Sequence, residues 1–206
     1  MSWFSKLSTK CPFCFLSFIE TVMKKSSVVL AFILLLVGGI AVAQQAPLSA
    51  DEILQEAFQR AAKENKNVLI IFHASWCGWC HKMDSSINDK ACKKFFDDNF
   101  VIRHLVVDET KDKRTLENPG ANELRSKYHG DDEGIPFWLV FDKNGNLLAD
   151  SQLRPVGASL ETKGDNVGCP AEEKEVNYFI DVLKQATHIS DDQEKVIRAR
   201  FRKNED

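Results

Sequence analysis

Val68-Leu69-Ile70-Ile71-Phe72-His73-Ala74-Ser75-Trp76-Cys77-Gly78-Trp79-Cys80 is the stretch from which the rest of this chain is read. Val68 to Phe72 is an unbroken apolar run of strand length, which suits a central strand covered on both faces, as in a parallel sheet with helices around it. Cys77 and Cys80 stand just beyond its carboxyl end, where α/β sheets collect functional groups. A helical stretch follows through Phe96, with a break expected near Ser85 to Asp89. A spacing of three puts both sulfurs on one side of the first helical turn, close enough to bond to each other. The free N–H groups and positive dipole end of that helix stabilise a thiolate, and such a site lowers a cysteine pKa from about 8.5 to roughly 3.5–7.5. Cys77, expected to be the more exposed, would attack a substrate disulfide; Cys80, one turn deeper, would resolve the mixed disulfide.

Working outward, Ser49 and Glu52 form a capping box ahead of an amphipathic helix over Ala50 to Glu64. On the other side, Phe100 to Val107 reads as a strand, Lys111 to Asn118 as a polar connection and Ala121 to Tyr128 as a short helix. Phe137 to Phe141 is a second buried strand, which Asn144-Gly145 turns into an antiparallel partner at Leu147 to Asp150. Gln152 to Gly168 reads as a long polar loop. Pro170 is expected to open a helix with Val176, Phe179, Ile180 and Leu183 on one face, and Ser190 to Lys203 reads as a final, highly charged helix. The order predicts an α/β layer fold, a four-stranded mixed sheet flanked by helices around one core.

The chain has 206 residues, 44% hydrophobic and 28% charged, with a net charge of −3. That balance excludes a disordered or collagen-like chain, and the missing basic excess argues against nucleic acid as a partner. Lys24-Lys25, the uncharged run Val28 to Ala43 and the Ala41-Val42-Ala43 exit together describe a secretory signal peptide over residues 1–43, cleaved between Ala43 and Gln44. The run is shorter than the roughly 20 residues of a membrane-spanning helix, which favours cleavage, with an uncleaved inner-membrane anchor as the alternative. Met23 precedes the lysines, so residues 1–22 read as a misassigned extension. Residues 44–188 would form the folded domain and 189–206 the charged helix. Removing residues 1–43 takes away four lysines and one glutamate, leaving 23 basic and 29 acidic residues, a net charge of −6. Cys11 and Cys14 go with that segment, and Cys77, Cys80, Cys92 and Cys169 stay. A periplasmic or secreted setting permits disulfides, so the remaining C-x-x-C can be redox-active.

W-C-G-W-C after a V-L-I-I-F strand resembles the thioredoxin superfamily, in particular its exported bacterial thioredoxin-like members, over about Ser49 to Thr187. Gly134-Ile135-Pro136-Phe137 resembles the family's loop with a cis-proline facing the active-site disulfide. The resemblance implies a thioredoxin-like fold and thiol–disulfide exchange by Cys77 and Cys80. It also implies a substrate groove shaped by Trp76, Gly78, Trp79, Ile135 and Pro136. Its implied partners are protein thiols and disulfides with a donor or acceptor redox protein, and it calls for no metal or organic cofactor. In two places the chain departs from the family pattern. Ile71 stands where classical thioredoxins carry a buried acid, and Gly78-Trp79 replaces the usual Gly-Pro. His73, His81 and Asp84 are candidates for the proton handling that the acid would have done.

Other readings attach to the same residues. Cys77 to His81 also spells C-x-x-C-H, the attachment motif of c-type haem, although small cytochromes c are helical and Trp79 would crowd a porphyrin. A zinc site would need ligands that the downstream sequence does not supply in any recognisable spacing. An inert stabilising disulfide closes too small a loop to stabilise much. A thioredoxin-fold binding module with little turnover is the alternative to an enzyme. Cys92 reads as a small buried hydrophobe, with a disulfide to Cys169 as its rival. Trp138 reads as core, Asp131-Asp132-Glu133 as a solvated loop, and His104, His129 and His188 receive no role.

Overall fold

A computed structural model describes residues 46–205; the expected signal peptide, its upstream extension and Cys11 and Cys14 lie outside the described residues. Ser49 caps α1 (Ala50–Glu64) with the expected box: its hydroxyl takes the Glu52 N–H while the Glu52 carboxylate takes the Ser49 N–H. Asn65 ends the helix in the left-handed conformation. β1 (Asn67–His73) follows and is buried from Val68 to Phe72.

After β1 come α2 (Gly78–Ile87), α3 (Lys93–Asn99), β2 (Phe100–Val106) and α4 (Ala121–Lys127). β3 (Phe137–Phe141) and β4 (Leu147–Asp150) complete a sheet of order β2-β1-β3-β4. β1 pairs parallel with β2 and antiparallel with β3, and β3 pairs antiparallel with β4. This is the mixed sheet that the sequence predicts. At the β3–β4 turn the Asp142 carboxylate takes the N–H groups of Asn144 and Asn146, both at 2.8 Å, and Gly145 supplies the positive φ of 88°.

The uninterrupted apolar runs of β1 and β3 feed two cores, because successive side chains leave a strand on opposite faces. Val68, Ile70, Phe72, Phe137, Leu139 and Phe141 pack with α1 and α4, against Ile53, Ala57, Ala61 and Ala121. Leu69, Ile71, Trp138 and Val140 face the other way, onto α2, α3 and the C-terminal helices α5 (Glu173–Ala186) and α6 (Asp191–Arg202). Trp138 is fully buried, as read, and its indole N–H reaches the Gly168 carbonyl at 2.9 Å.

Three expectations need correction. The break after the active-site helix falls later, between Ile87 and Lys93. The Ser86 hydroxyl bonds back to the Lys82 carbonyl inside the helix, and Asn88 closes it by donating to Asp84 O. Pro170 does not open α5. Glu172 is the N-cap, boxed with Glu175, while the carbonyls of Pro170 and Ala171 are taken by Asn204 and Arg202 and so lie outside the helix. The stretch from Gln152 to Gly168 is not all loop. Gln152–Leu153 (β5) pairs antiparallel with Asp165–Asn166 (β6). Arg154 anchors this flap through a buried ion pair to Asp150 at 2.6 Å and bonds to the carbonyls of Leu160 and Thr162.

Candidate active site

β1 delivers the chain to the site, and a tight turn, closed by Cys77 N–H on Ala74 O at 3.1 Å, swings it into α2. Cys77 is the N-cap of α2, with extended backbone angles, and its sulfur takes the Cys80 N–H at 3.1 Å. The two sulfurs are bonded to each other across a Cα–Cα separation of 5.3 Å. Both sulfurs thus lie at the helix tip, as the spacing of three predicts, where amide donors and the macrodipole favour a negative charge.

The expected contrast in exposure is small. Cys77 is 3% exposed and Cys80 1%, because Ala74 and Ile135 pack against both and the Ile135 carbonyl oxygen lies 3.5 Å from the Cys77 sulfur. What is exposed is the pair of tryptophans, Trp76 at 56% and Trp79 at 49%. Open apolar rings beside a reactive bond offer contact area to another polypeptide. The Trp76 indole N–H is fixed on the Asp108 carbonyl at 2.8 Å, and Lys82 sits 4.7 Å over the Trp79 ring.

The Ile135–Pro136 peptide is cis and faces the disulfide, as the resemblance implied. Trp79, Ile135, Pro136, Asn166, Val167 and Glu172 line a cleft of about 390 Å³. Sequence reasoning missed Asn166. Its side-chain amide donates to Gly134 O at 2.7 Å and Pro136 O at 3.2 Å, and its oxygen takes the Gly168 N–H at 3.1 Å. The acidic run beside this loop is at the surface, where Lys163 bridges Asp132 and Glu133.

The proton-handling candidates separate. His81 turns its Nε2 to the Ser75 carbonyl at 3.1 Å. Asp84 pairs with His104 Nε2 at 2.8 Å, and the His104 ring lies 4.9 Å from that of His73. Burial first, and the neighbouring His104 second, push the His73 pKa down. His104, without a role in the sequence reading, thus joins the cluster. Ile71 is in the apolar core, so that strand position supplies no acid.

A second missed residue is Glu109, only 6% exposed, which takes the Ser75 N–H at 2.6 Å and the Ser75 hydroxyl at 2.9 Å. Burial alone would raise its pKa, but the Ser75 bonds and Lys113 outweigh it and hold the carboxyl below its usual range. No local pattern marks either Asn166 or Glu109, since each acts on a segment over 30 residues away.

Cys92 and Cys169 are free and buried, so the reading of Cys92 as a small apolar residue holds and the rival disulfide does not form. Burial pushes the Cys92 thiol up to about 11 and that of Cys169 to about 12. Thiols so protonated are poor nucleophiles at neutral pH. The haem reading needs both active-site sulfurs for thioethers, whereas here they are bonded to each other and the His81 ring is engaged with Ser75. Among the described residues no group of three or more His, Cys, Asp or Glu side chains is arranged to hold a metal ion.

Residues 50–143 match the family model described as thioredoxin-like. An uncharacterised protein of Caenorhabditis elegans is 39% identical over 59 residues, which is 28% of this chain and 8% of that relative's length. Among solved structures, a disulphide isomerase from Xylella fastidiosa Temecula1 is 20% identical and superposes with a TM-score of 0.42, over 80% of this chain and 100% of that one. A DsbH oxidoreductase is 18% identical with a TM-score of 0.41, over 71% of this chain and 88% of that one. The fold is thioredoxin-like, and the matched segment runs from the first residue of α1 into the turn after β3.

Proposed function

We propose that the chain is an exported thiol–disulfide oxidoreductase acting on protein cysteines, with Cys77 as nucleophile, Cys80 as resolver and Pro136 as groove former. The observation that carries this reading is the Cys77–Cys80 bond at the N-cap of α2, opposite the cis-Pro136 loop and between two exposed tryptophans. In the reducing direction, the Cys77 thiolate attacks one sulfur of a substrate disulfide. An S–S bond forms to Cys77 as the substrate bond breaks, and the departing thiolate takes a proton. Cys80, deprotonated, then attacks the Cys77 sulfur, closing the intramolecular disulfide and expelling the second substrate thiol. Two electrons pass from the dithiol to the substrate. Oxidation of a substrate dithiol is the same path reversed.

The Cys80 N–H on the Cys77 sulfur and the dipole of α2 stabilise the attacking thiolate, and this requires no metal or organic cofactor. The partners would be protein thiols or disulfides and a second redox protein that resets the pair. The setting would be periplasmic or secreted, with the mature chain starting at Gln44; N-terminal sequencing of exported protein checks that start.

Insulin reduction and scrambled-ribonuclease refolding test the activity. Cys77→Ala is expected to abolish turnover, and Cys80→Ala to trap a mixed disulfide with the substrate. Turnover unaffected by Cys77→Ala would sink the enzyme reading. Binding without turnover in the wild type would favour the module that only holds a partner.

A further inference from the structure

Three contacts, four hydrogen bonds in all, tie the turn that leads into Cys77 to the corner after β2. Val107 N–H reaches His73 O at 2.9 Å, the Trp76 indole N–H reaches Asp108 O, and Ser75 gives both its N–H and its hydroxyl to the Glu109 carboxylate. Only the last of these brings a charge. Burying a carboxylate is costly when neutral groups could make the same bonds, so its presence on Ser75, two residues before the nucleophile, points to a use of that charge. We propose that Glu109 is a positioning residue of the exchange centre, holding the entry to Cys77 and biasing the cysteine pair toward the disulfide; this rests on the oxidoreductase reading above.

The sign follows from the half-reaction. Protein disulfide and two glutathione thiols give the Cys77 thiolate, the Cys80 thiol and glutathione disulfide; the protein takes up two electrons and one proton, and the second proton goes to solvent. Reduction leaves a Cys77 thiolate at the helix tip, and a fixed anion nearby raises the energy of that thiolate without affecting the neutral disulfide. Glu109 therefore opposes the helix dipole and makes the reduced protein a stronger electron donor. The charged groups around it are few. Lys113 donates to the Ser75 hydroxyl at 3.2 Å and partly neutralises the carboxylate, and the Glu117 carboxylate takes the Glu109 N–H at 2.9 Å. Asp108 is paired with Arg125 at 2.6 Å, and His73 at the end of β1 lies within the field of Glu109.

The test is the equilibrium of the Cys77–Cys80 couple in glutathione buffers, read by alkylation and mass, with the Cys77 thiol titrated in parallel. Glu109→Gln keeps the shape and removes the charge. It is expected to shift the equilibrium up to tenfold toward the dithiol, about 30 mV upward for the full factor, and to lower the Cys77 titration point. Lys113→Gln leaves Glu109 and its bonds in place and is expected to shift both readings the other way, which keeps the test open if Glu109→Gln does not fold. Wild-type equilibrium and titration in a folded Glu109→Gln, or in Lys113→Gln, overturn the proposal. A couple that equilibrates with glutathione but never turns over protein disulfides would instead count against the oxidoreductase reading alone.

Discussion

Asn166 shows how much of the site depends on one side chain far from the cysteines in sequence. Its amide bridges the carbonyls of Gly134 and Pro136, which bracket Ile135, the residue whose own carbonyl meets the Cys77 sulfur. Each such bond is worth about 1 kcal/mol net, and a carbonyl left without a partner costs more when it is buried. Asn166→Ala is therefore expected to cost about 1–3 kcal/mol of stability. It should also loosen the loop facing the disulfide, raising KM for a protein disulfide more than it lowers kcat. Steady-state kinetics with insulin and a urea titration read the two effects, and an unchanged KM would remove Asn166 from the groove. The cysteines and the proline were legible in the sequence because their motifs are local, five and four residues long. Asn166 and Glu109 were not, because a hydrogen bond across 30 residues of chain leaves no periodic or spacing signal.

Among the elements, α6 changes meaning most between sequence and structure. Its charge hides a short apolar seam: Ile197 and Phe201, one helical turn apart, are fully buried, and the Phe201 ring lies 4.9 Å from Phe179 of α5 and 6.3 Å from Phe96 of α3. Asn204, just beyond the helix, takes bonds from Lys82 and Ser86 of α2 and donates to the Cys169 sulfur and the Pro170 carbonyl. The last turn thus fastens the active-site helix to the wall of the cleft. Phe201→Ala empties a three-ring cluster and is expected to cost about 3–5 kcal/mol. The urea midpoint should fall with little change in slope, and a loss below 1 kcal/mol would show that α6 is dispensable to the core. Two buried apolar residues in twelve are too weak a period to announce this packing, whereas α1, with its capping box and four-fold apolar repeat, could be read almost to the residue. The β5–β6 ladder was equally silent. Two residues per strand carry no alternation, and an ion pair between Asp150 and Arg154 holds the flap rather than an apolar face.

Across the whole molecule, the most general consequence of the packing is a weakness at alkaline pH. Cys92 and Cys169 are both buried on the same side of the sheet, with thiols pushed up to about 11 and 12 from an ordinary value of 9.0. Burial likewise pushes the Tyr178 hydroxyl up. In the unfolded chain these thiols lose their protons above about pH 9, while the folded protein keeps them. Between those values the unfolded state binds fewer protons, so stability falls as pH rises. The contribution is fully present below pH 9, and is lost progressively from there through about 11 for Cys92 and about 12 for Cys169. A shift of two to three units corresponds to a few kcal/mol per thiol. Urea midpoints measured under reducing conditions at pH 8, 10 and 11 should decline steeply. Cys169→Ala should start lower at pH 8, because it leaves a cavity, yet decline less, because the thiol that resists ionisation is gone. Tyr178 titrates in the same sense in both proteins and leaves the difference between their slopes intact. Equal slopes in the two would mean that the buried thiols are not what couples this fold to pH.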